Sequence, residues 1–249
     1  MTSDPPSLAL SAIVPTLDEA GGIEETLSRA RVALGEDTEI LVVDGGSRDG
    51  TRTLAARHAR VLECEPCRGV QLHHGAHAAR GDILVFLHAD TWLSPGAGAA
   101  IRGAVAGGAV GGCCRLAVRG EGWRYRWLER GIAWRTRRFG TATGDQALFA
   151  TRESYALAGG FGPYPLFEDV RFVRALRRLG PFVSLEAVAA TSPRRWTEHG
   201  FLRTVVGHWL LRARHAAGAE PATLARRYDH RRERCVGRLS RLPTSGRRS

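Results

Sequence analysis

Residues 83–93 read ILVFLHADTWL, an unbroken apolar run from Ile83 to Leu87 that passes straight into His88-Ala89-Asp90. Such a run fits a strand covered on both faces, as in the parallel sheet of an α/β domain. The upstream chain repeats the theme. LALSAIVPT (8–16) predicts a strand and is followed by a helical stretch from about Gly22 to Leu34. TEILVVDGG (38–46) predicts a second strand, with Ser47 or Asp49 placed to cap a helix through TRTLAARHA. RVLECE (60–65) is a short candidate strand, GVQLHHGAHAA a further helix, and DILVFLHAD (82–90) the next strand. Strand–helix alternation of this kind predicts a doubly wound α/β domain.

Open α/β sheets bind ligands at the carboxyl ends of their strands. Three strand ends here carry acids: Pro15-Thr16-Leu17-Asp18-Glu19, Asp44-Gly45-Gly46 and His88-Ala89-Asp90. Carboxylates gathered on one edge repel each other and a phosphate unless a divalent cation or a hydrogen-bonding ligand lies between them. Helix capping explains one such acid, Asp18, more simply than it explains three in register. DGGSRDG (44–50) is not a dinucleotide fingerprint, because it follows the second strand and begins with Asp; a phosphate loop ending in Gly-Lys is excluded by a chain without lysine. An acid followed by small residues suits hydrogen bonding to a base or ribose.

Past Pro95 the pattern weakens. Residues 97–112 are mostly Ala and Gly. EGWRYRWLERGIAWRTRRF (121–139), FEDVRFVRALRRLG (167–180) and FLRTVVGHWLLRARH (201–215) predict helices. In the first, Trp123, Trp127 and Trp134 share a face interleaved with arginines, which could stack sugars or bases or lie on an anionic membrane surface but is expected to pack on the core with one edge toward a ligand. Neither a repeat nor a long linker is visible, so one compact unit is expected.

The 249 residues, 43% hydrophobic and 24% charged, suit a globular α/β domain. No run is long and apolar enough to span a bilayer, and MTSDPPSLAL lacks the pattern of a secretory signal, so a cytoplasmic location is expected, with peripheral contact at the inner membrane face left open. The net charge of +11 comes entirely from arginine, a bias expected of a GC-rich genome, and residues 226–249 supply much of the excess as a solvated tail. Specific nucleic-acid binding is therefore not expected. Five cysteines without a second C-x-x-C after Cys64/Cys67 suggest reduced thiols.

IVPTLDEAGGIEETL, ILVVDGGSRDGT, RGDILVFLHADT, GDQALFATRESYALAGGFGPYPLFEDVRFVRALRRLG and SPRRW, in this order, resemble the family 2 glycosyltransferases. Within that family they are similar to a small bacterial group linked to radical-SAM/selenodomain and arsenosugar gene clusters. The resemblance covers residues 8 to 215. It implies a GT-A fold: a Rossmann-like, mostly parallel α/β sheet with helices on both faces, plus C-terminal helices. The single domain would occupy 1–225, with a nucleotide half of about 8–110 and an acceptor half of about 111–215. It further implies inverting transfer from a nucleotide-diphosphate sugar, UDP-linked, to an acceptor that is a small molecule or lipid-linked.

Carried over by motif, Pro15, Thr16, Glu19, Asp44, Arg68 and Ala89 would line the nucleotide site. Asp90 and His88 would hold Mn²⁺ or Mg²⁺. Asp169 would be the general base, and Asp145, Glu168, Arg195 and Trp196 would face the donor sugar, diphosphate or acceptor. Two positions depart from the family pattern: Gly45 stands where a second Asp is usual, and His88 where the first Asp of D-x-D is usual. Asp169 lies in the first turn of its helix, where the dipole favours the ionised carboxylate that a base requires. A sugar-nucleotide pyrophosphorylase, the rival enzyme class, needs a Gly-rich, Lys-containing loop that PTLDEAGG lacks. A basic nucleic-acid module is the rival outside enzymes.

Overall fold

The computed structural model describes residues 8–164, 166–216 and 223. The predicted strands of the first half form β1 (Leu10–Thr16), β2 (Glu39–Asp44), β3 (Arg60–Glu63) and β4 (Ile83–Phe86), all mutually parallel in the order β3-β2-β1-β4. Their continuous apolar character has the expected cause. Ala12, Val14, Val42 and Val85 join one buried cluster, whereas Ile13, Leu41, Val43, Leu84 and Phe86 join another on the opposite face. Helices α1 (Ile23–Leu34), α2 (Thr51–Ala55) and α4 (Ala97–Ala106) lie over the first cluster, and α3 (Arg68–Ala78) over the second.

Beyond Phe86 the structure adds what the sequence did not announce. The strand expected over 82–90 pairs only as far as Phe86. The Leu87 N–H still donates to the Ile13 carbonyl at 3.0 Å, and a turn closed by Thr91 N–H on His88 O at 3.1 Å then lifts His88–Asp90 off the sheet. β5 (Thr91–Leu93), β6 (Gly111–Val118), β7 (Leu148–Thr151) and β8 (Phe182–Thr191) complete one eight-stranded sheet, order β3-β2-β1-β4-β7-β6-β8-β5. β7 runs antiparallel to both β4 and β6, β5 runs antiparallel to β8, and β6 pairs β8 in parallel. The sheet is thus mostly parallel, with the antiparallel pairings in its second half.

The Ala/Gly stretch becomes α4, and Gly98 lets it press on α1: a Cβ there would lie 2.1 Å from the Leu34 carbonyl oxygen. The second half also carries α5 (Trp123–Phe139), a 3-10 turn (Gly144–Gln146), α6 (Arg152–Leu157), α7 (Glu168–Leu176), α8 (Arg194–His199) and α9 (Phe201–Ala216). The core-facing assignment of the α5 tryptophans is corrected. Glu129 and Thr136 are the buried residues of α5, while Trp123, Trp127 and Trp134 face solvent. The helix is anchored by polar contacts instead: Glu129 accepts the Val118 N–H at 2.7 Å, and Arg126 donates to Val118 O at 2.8 Å.

Cys64, Cys113 and Cys114 are free thiols. Among the described residues no helix is long and apolar enough to cross a membrane. The basic segment 226–249 lies outside the described residues.

Candidate active site

The parallel register brings three chain segments to one edge. Thr16 pairs with Asp44 at the carboxyl ends of β1 and β2, Asp44 with Glu63, and Ile13 with Phe86, so the loops after β1, β2 and β4 leave the sheet side by side.

Asp44 is fully buried and organises the first two loops. One carboxylate oxygen accepts the Thr16 hydroxyl at 3.2 Å and the Ser47 hydroxyl; the other accepts the N–H groups of Gly46 at 2.9 Å and Ser47 at 2.8 Å. All four acceptor directions are taken, so a base N–H would have to displace one of the hydroxyls. The two loops also bind each other. Asp18 N–H donates to the Ser47 hydroxyl, Glu19 N–H to the Thr51 hydroxyl, Ala20 N–H to Asp49, and Arg48 N–H to Asp18. The Thr51 hydroxyl, with help from the backbone, holds Asp49 below its ordinary carboxylate pKa. Asp18 takes a left-handed φ of 55°, which this lattice of bonds maintains.

Gln71, buried on α3, donates to Thr16 O at 2.9 Å and Val43 O at 2.8 Å and so ties the ends of β1 and β2 to the helix. Gly45 has a steric cause: a Cβ would sit 3.0 Å from Pro66 Cα and 3.2 Å from the Gln71 amide nitrogen, which leaves little room for the second acid of the family pattern.

The turn after β4 is the second part. Ala89 is buried, and its carbonyl accepts the Thr26 hydroxyl of α1 at 2.7 Å. Asp90 is half-buried, with its carbonyl accepting Arg119 at 3.1 Å. Arg119 stacks on Trp92 at 3.5 Å while Arg29 lies over the same ring at 3.9 Å. The Arg119 Nε is buried without a hydrogen-bond partner. Burial draws this guanidinium below the usual arginine range, opposed by the Asp90 and Glu25 carboxylates.

The third part is where predicted residues far apart in sequence meet. One Asp169 oxygen accepts the Gly144 N–H at 2.8 Å. A Cβ on Gly144 would lie 2.9 Å from His88 Nε2 and 3.6 Å from Asp169 Oδ2, so His88, Gly144 and Asp169 share one small space. Asp145, next in the chain, accepts the Thr143 hydroxyl. Asp169 stands in the first turn of α7, whose N-cap Phe167 has a left-handed φ of 63°. Its neighbour Glu168 is buried and faces Arg68 at 3.8 Å, linking α7 to α3. Glu19 pairs with Arg194 at 3.3 Å, a second link across the halves. Trp196 meets Tyr125 edge-on at 6.1 Å, at the junction of α5 and α8. Arg195 lies in α8, and its side chain falls outside the described ones.

Sequence reasoning did not single out Gly144, Gln71, Arg119 or Arg194. A G-D-Q turn ahead of an apolar run was the available signal for Gly144; the other three show only as contacts in space.

Among the described residues no three His, Cys, Asp or Glu side chains gather closely enough to hold a metal by themselves. The single carboxylate of Asp90 fits a cation whose remaining positions are filled by substrate phosphate and water, the usual situation for Mg²⁺, whereas an imidazole such as that of His88 suits a softer ion than Mg²⁺.

A Rossmann-like sheet with its polar loops at the carboxyl edge, carried on into an antiparallel second half, has the GT-A shape. The solved structure of GalNAc-T7 with UDP, GalNAc and Mn²⁺ matches with a TM-score of 0.59 at 15% identity, over 76% of this chain and 44% of that one. The family model of Glycosyl transferase family 2 matches residues 11–156, and the chain belongs to that family. An uncharacterized glycosyltransferase of Mycobacterium tuberculosis is 36% identical over 90 residues, 35% of this chain and 39% of the relative. The undecaprenyl-phosphate 4-deoxy-4-formamido-L-arabinose transferase of Aeromonas hydrophila is 31% identical over 99 residues, 34% of this chain and 30% of the relative. The match thus spans about a third of these relatives' lengths.

Proposed function

We propose that the chain transfers a sugar, with inversion, from a nucleotide-diphosphate sugar of the UDP-linked class to an acceptor hydroxyl, with Asp169 as general base. The observation that carries this reading is the meeting of Asp169, Gly144 and His88, because it sets a carboxylate beside the turn that follows β4. The nucleotide would lie on the braced loops of Pro15–Glu19 and Asp44, with Arg68 at the diphosphate side and the Ala89 backbone beneath. Asp169 would take the acceptor proton as the hydroxyl attacks the anomeric carbon. Held by the Gly144 N–H in the first turn of α7, it stays oriented for that task. Asp145, Glu168, Arg195 and Trp196 would border the donor sugar and acceptor. A divalent cation held by Asp90, with His88 as the second candidate ligand, would neutralise charge on the leaving diphosphate.

The UDP in GalNAc-T7 and the undecaprenyl-phosphate named for the Aeromonas relative support a UDP-linked donor and a lipid-linked acceptor. By the resemblance of its motifs the chain would belong with the radical-SAM/selenodomain-linked group and would act as one domain at the cytoplasmic side. A thermal-shift panel of nucleotide sugars, with and without Mn²⁺, tests the donor class: UDP sugars should stabilise the protein, and more so with the cation. No shift with any nucleotide would defeat the reading. Asp169→Asn should keep the nucleotide shift and lose transfer.

A further inference from the structure

We infer that α5 is an interfacial docking helix that seats this protein on an anionic phospholipid bilayer. Trp123, Trp127 and Trp134 are 70%, 63% and 63% exposed, and their spacing of four and then seven residues aligns them on one stripe of the helix. Water is a poor solvent for three adjacent indoles, and contiguous exposed apolar surface marks a contact site. The stripe is flanked by cations: Arg124, Arg130, Arg137 and Arg138 are exposed beside it. Its only acid, Glu129, is turned inward and neutralised by Arg126 at 2.9 Å. The outward face of α5 therefore carries aromatic and positive groups of its own, and the carboxylate of Glu186 in β8 meets it at Arg137, 2.8 Å away. A surface groove of about 480 Å³ is lined by Trp134, Arg130, Arg137 and Arg138; Arg137 is held there by Glu186, and Arg130 and Arg138 are placed to meet a phosphate headgroup.

Tryptophan among arginines suits the headgroup layer, where an indole buries its ring and keeps its N–H wet. A single-stranded nucleic acid would also stack on indoles. The neighbouring helix favours lipid. α9 exposes Leu202, Val206 and Leu210 at four-residue spacing, and its first residue, Phe201, packs on Tyr125 of α5 at 5.6 Å. Aliphatic side chains give nothing to a base but partition into acyl chains. α5 is also bracketed by the site: Arg119, bound to the Asp90 carbonyl, precedes it, and Gly144, bound to Asp169, follows it. Docking through α5 would bring these loops to the membrane surface. The inference rests on the exposed helix and not on the transfer reaction.

The test is co-sedimentation of the full chain with phosphatidylglycerol-containing vesicles and with pure phosphatidylcholine vesicles, at low and high salt. Wild type should bind the anionic vesicles, salt-sensitively, and its fluorescence should be quenched by brominated lipid chains. The combined variant Trp123→Ser, Trp127→Ser, Trp134→Ser and the variant Arg130→Glu, Arg137→Glu, Arg138→Glu should each partition about tenfold less or weaker still. Circular-dichroism melts check that both variants remain folded. Absent binding of wild type to anionic vesicles, absent quenching by brominated lipid, or undiminished binding of a folded tryptophan variant would each overturn the inference. Binding of single-stranded RNA in place of vesicles would overturn it as well. Since no donor sugar enters the assay, a failed transfer reaction would leave its result unchanged.

Discussion

Gly144 is the narrowest point of the candidate site. Its N–H holds Asp169 at 2.8 Å, and its missing side chain leaves the space that His88 Nε2 occupies. Gly144→Ala must push His88 aside or turn the N–H away from Asp169. We expect kcat for transfer to fall about 100-fold, as a displacement of about 1 Å in a reacting group can cost that much, while the melting temperature changes little. An alanine variant with wild-type turnover would show that His88 and Asp169 need not share this space. Asp44 makes a different prediction. Removing its carboxylate in Asp44→Ala leaves two backbone N–H groups and two hydroxyls unpaired in a buried turn, so unfolding in urea should show a loss of about 1–3 kcal/mol for the unsatisfied groups. At this scale the sequence singles out residues whose chemistry is visible in their type: Asp44, Asp90, Asp169, and His88 as a departure from pattern. It conceals Gly144, whose role is the lack of an atom, and Arg194, whose partner Glu19 is remote in the chain.

Elements were legible where a strand is covered on both faces. ILVV in β2 and ILVF in β4 are unbroken because adjacent residues enter opposite cores. β6 begins Gly-Gly-Cys-Cys, β7 has four residues, and β8 reads FVSLEAVAAT with much of it half-exposed, so none carried a clear period. Their pairing is set by neighbours, a tertiary effect. α5 misled for a related reason. Its tryptophan stripe had the phase of a core face, but Glu129 and Arg126 bind the β6 backbone and turn the stripe outward. The small residues of α4 let it pack tightly on α1, and Gly98 tests this. An alanine Cβ would meet the Leu34 carbonyl oxygen at 2.1 Å and its carbon at 2.7 Å, both backbone atoms that cannot rotate away. Gly98→Ala should therefore lower stability by about 1–3 kcal/mol through overpacking, outweighing a helix-propensity gain of about 1 kcal/mol. Equal or higher stability in urea titration would mean that α4 slides off α1 at little cost.

The whole molecule is organised by one sheet with a core on each side, and adjacent cysteines in β6 report on both. Cys113 belongs to the cluster beneath α3 and α7, and Cys114 to the cluster beneath α1 and α4; both are fully buried. Burial pushes each thiol from an ordinary 9.0 up to about 12. Cys64, half-exposed, is pushed to about 11, by burial first and then by the Glu65 and Asp44 charges. The native protein at pH 8 therefore presents almost no thiolate at residues 113 and 114, and alkylation there requires opening. The sign of the pH effect follows. Above 9.0 the unfolded chain ionises these thiols and the native chain does not, so their ionisation drains stability as pH rises toward about 12. Because the sheet joins both halves, with Arg68–Glu168 and Glu19–Arg194 crossing between them, we expect the two faces to open together. Iodoacetamide labelling at pH 8, read residue by residue by mass spectrometry, should then proceed at one slow rate at Cys113 and Cys114, and both rates should rise in parallel with urea. Faster labelling of one of the pair, with a separate urea dependence, would show that one face of the sheet uncovers by itself.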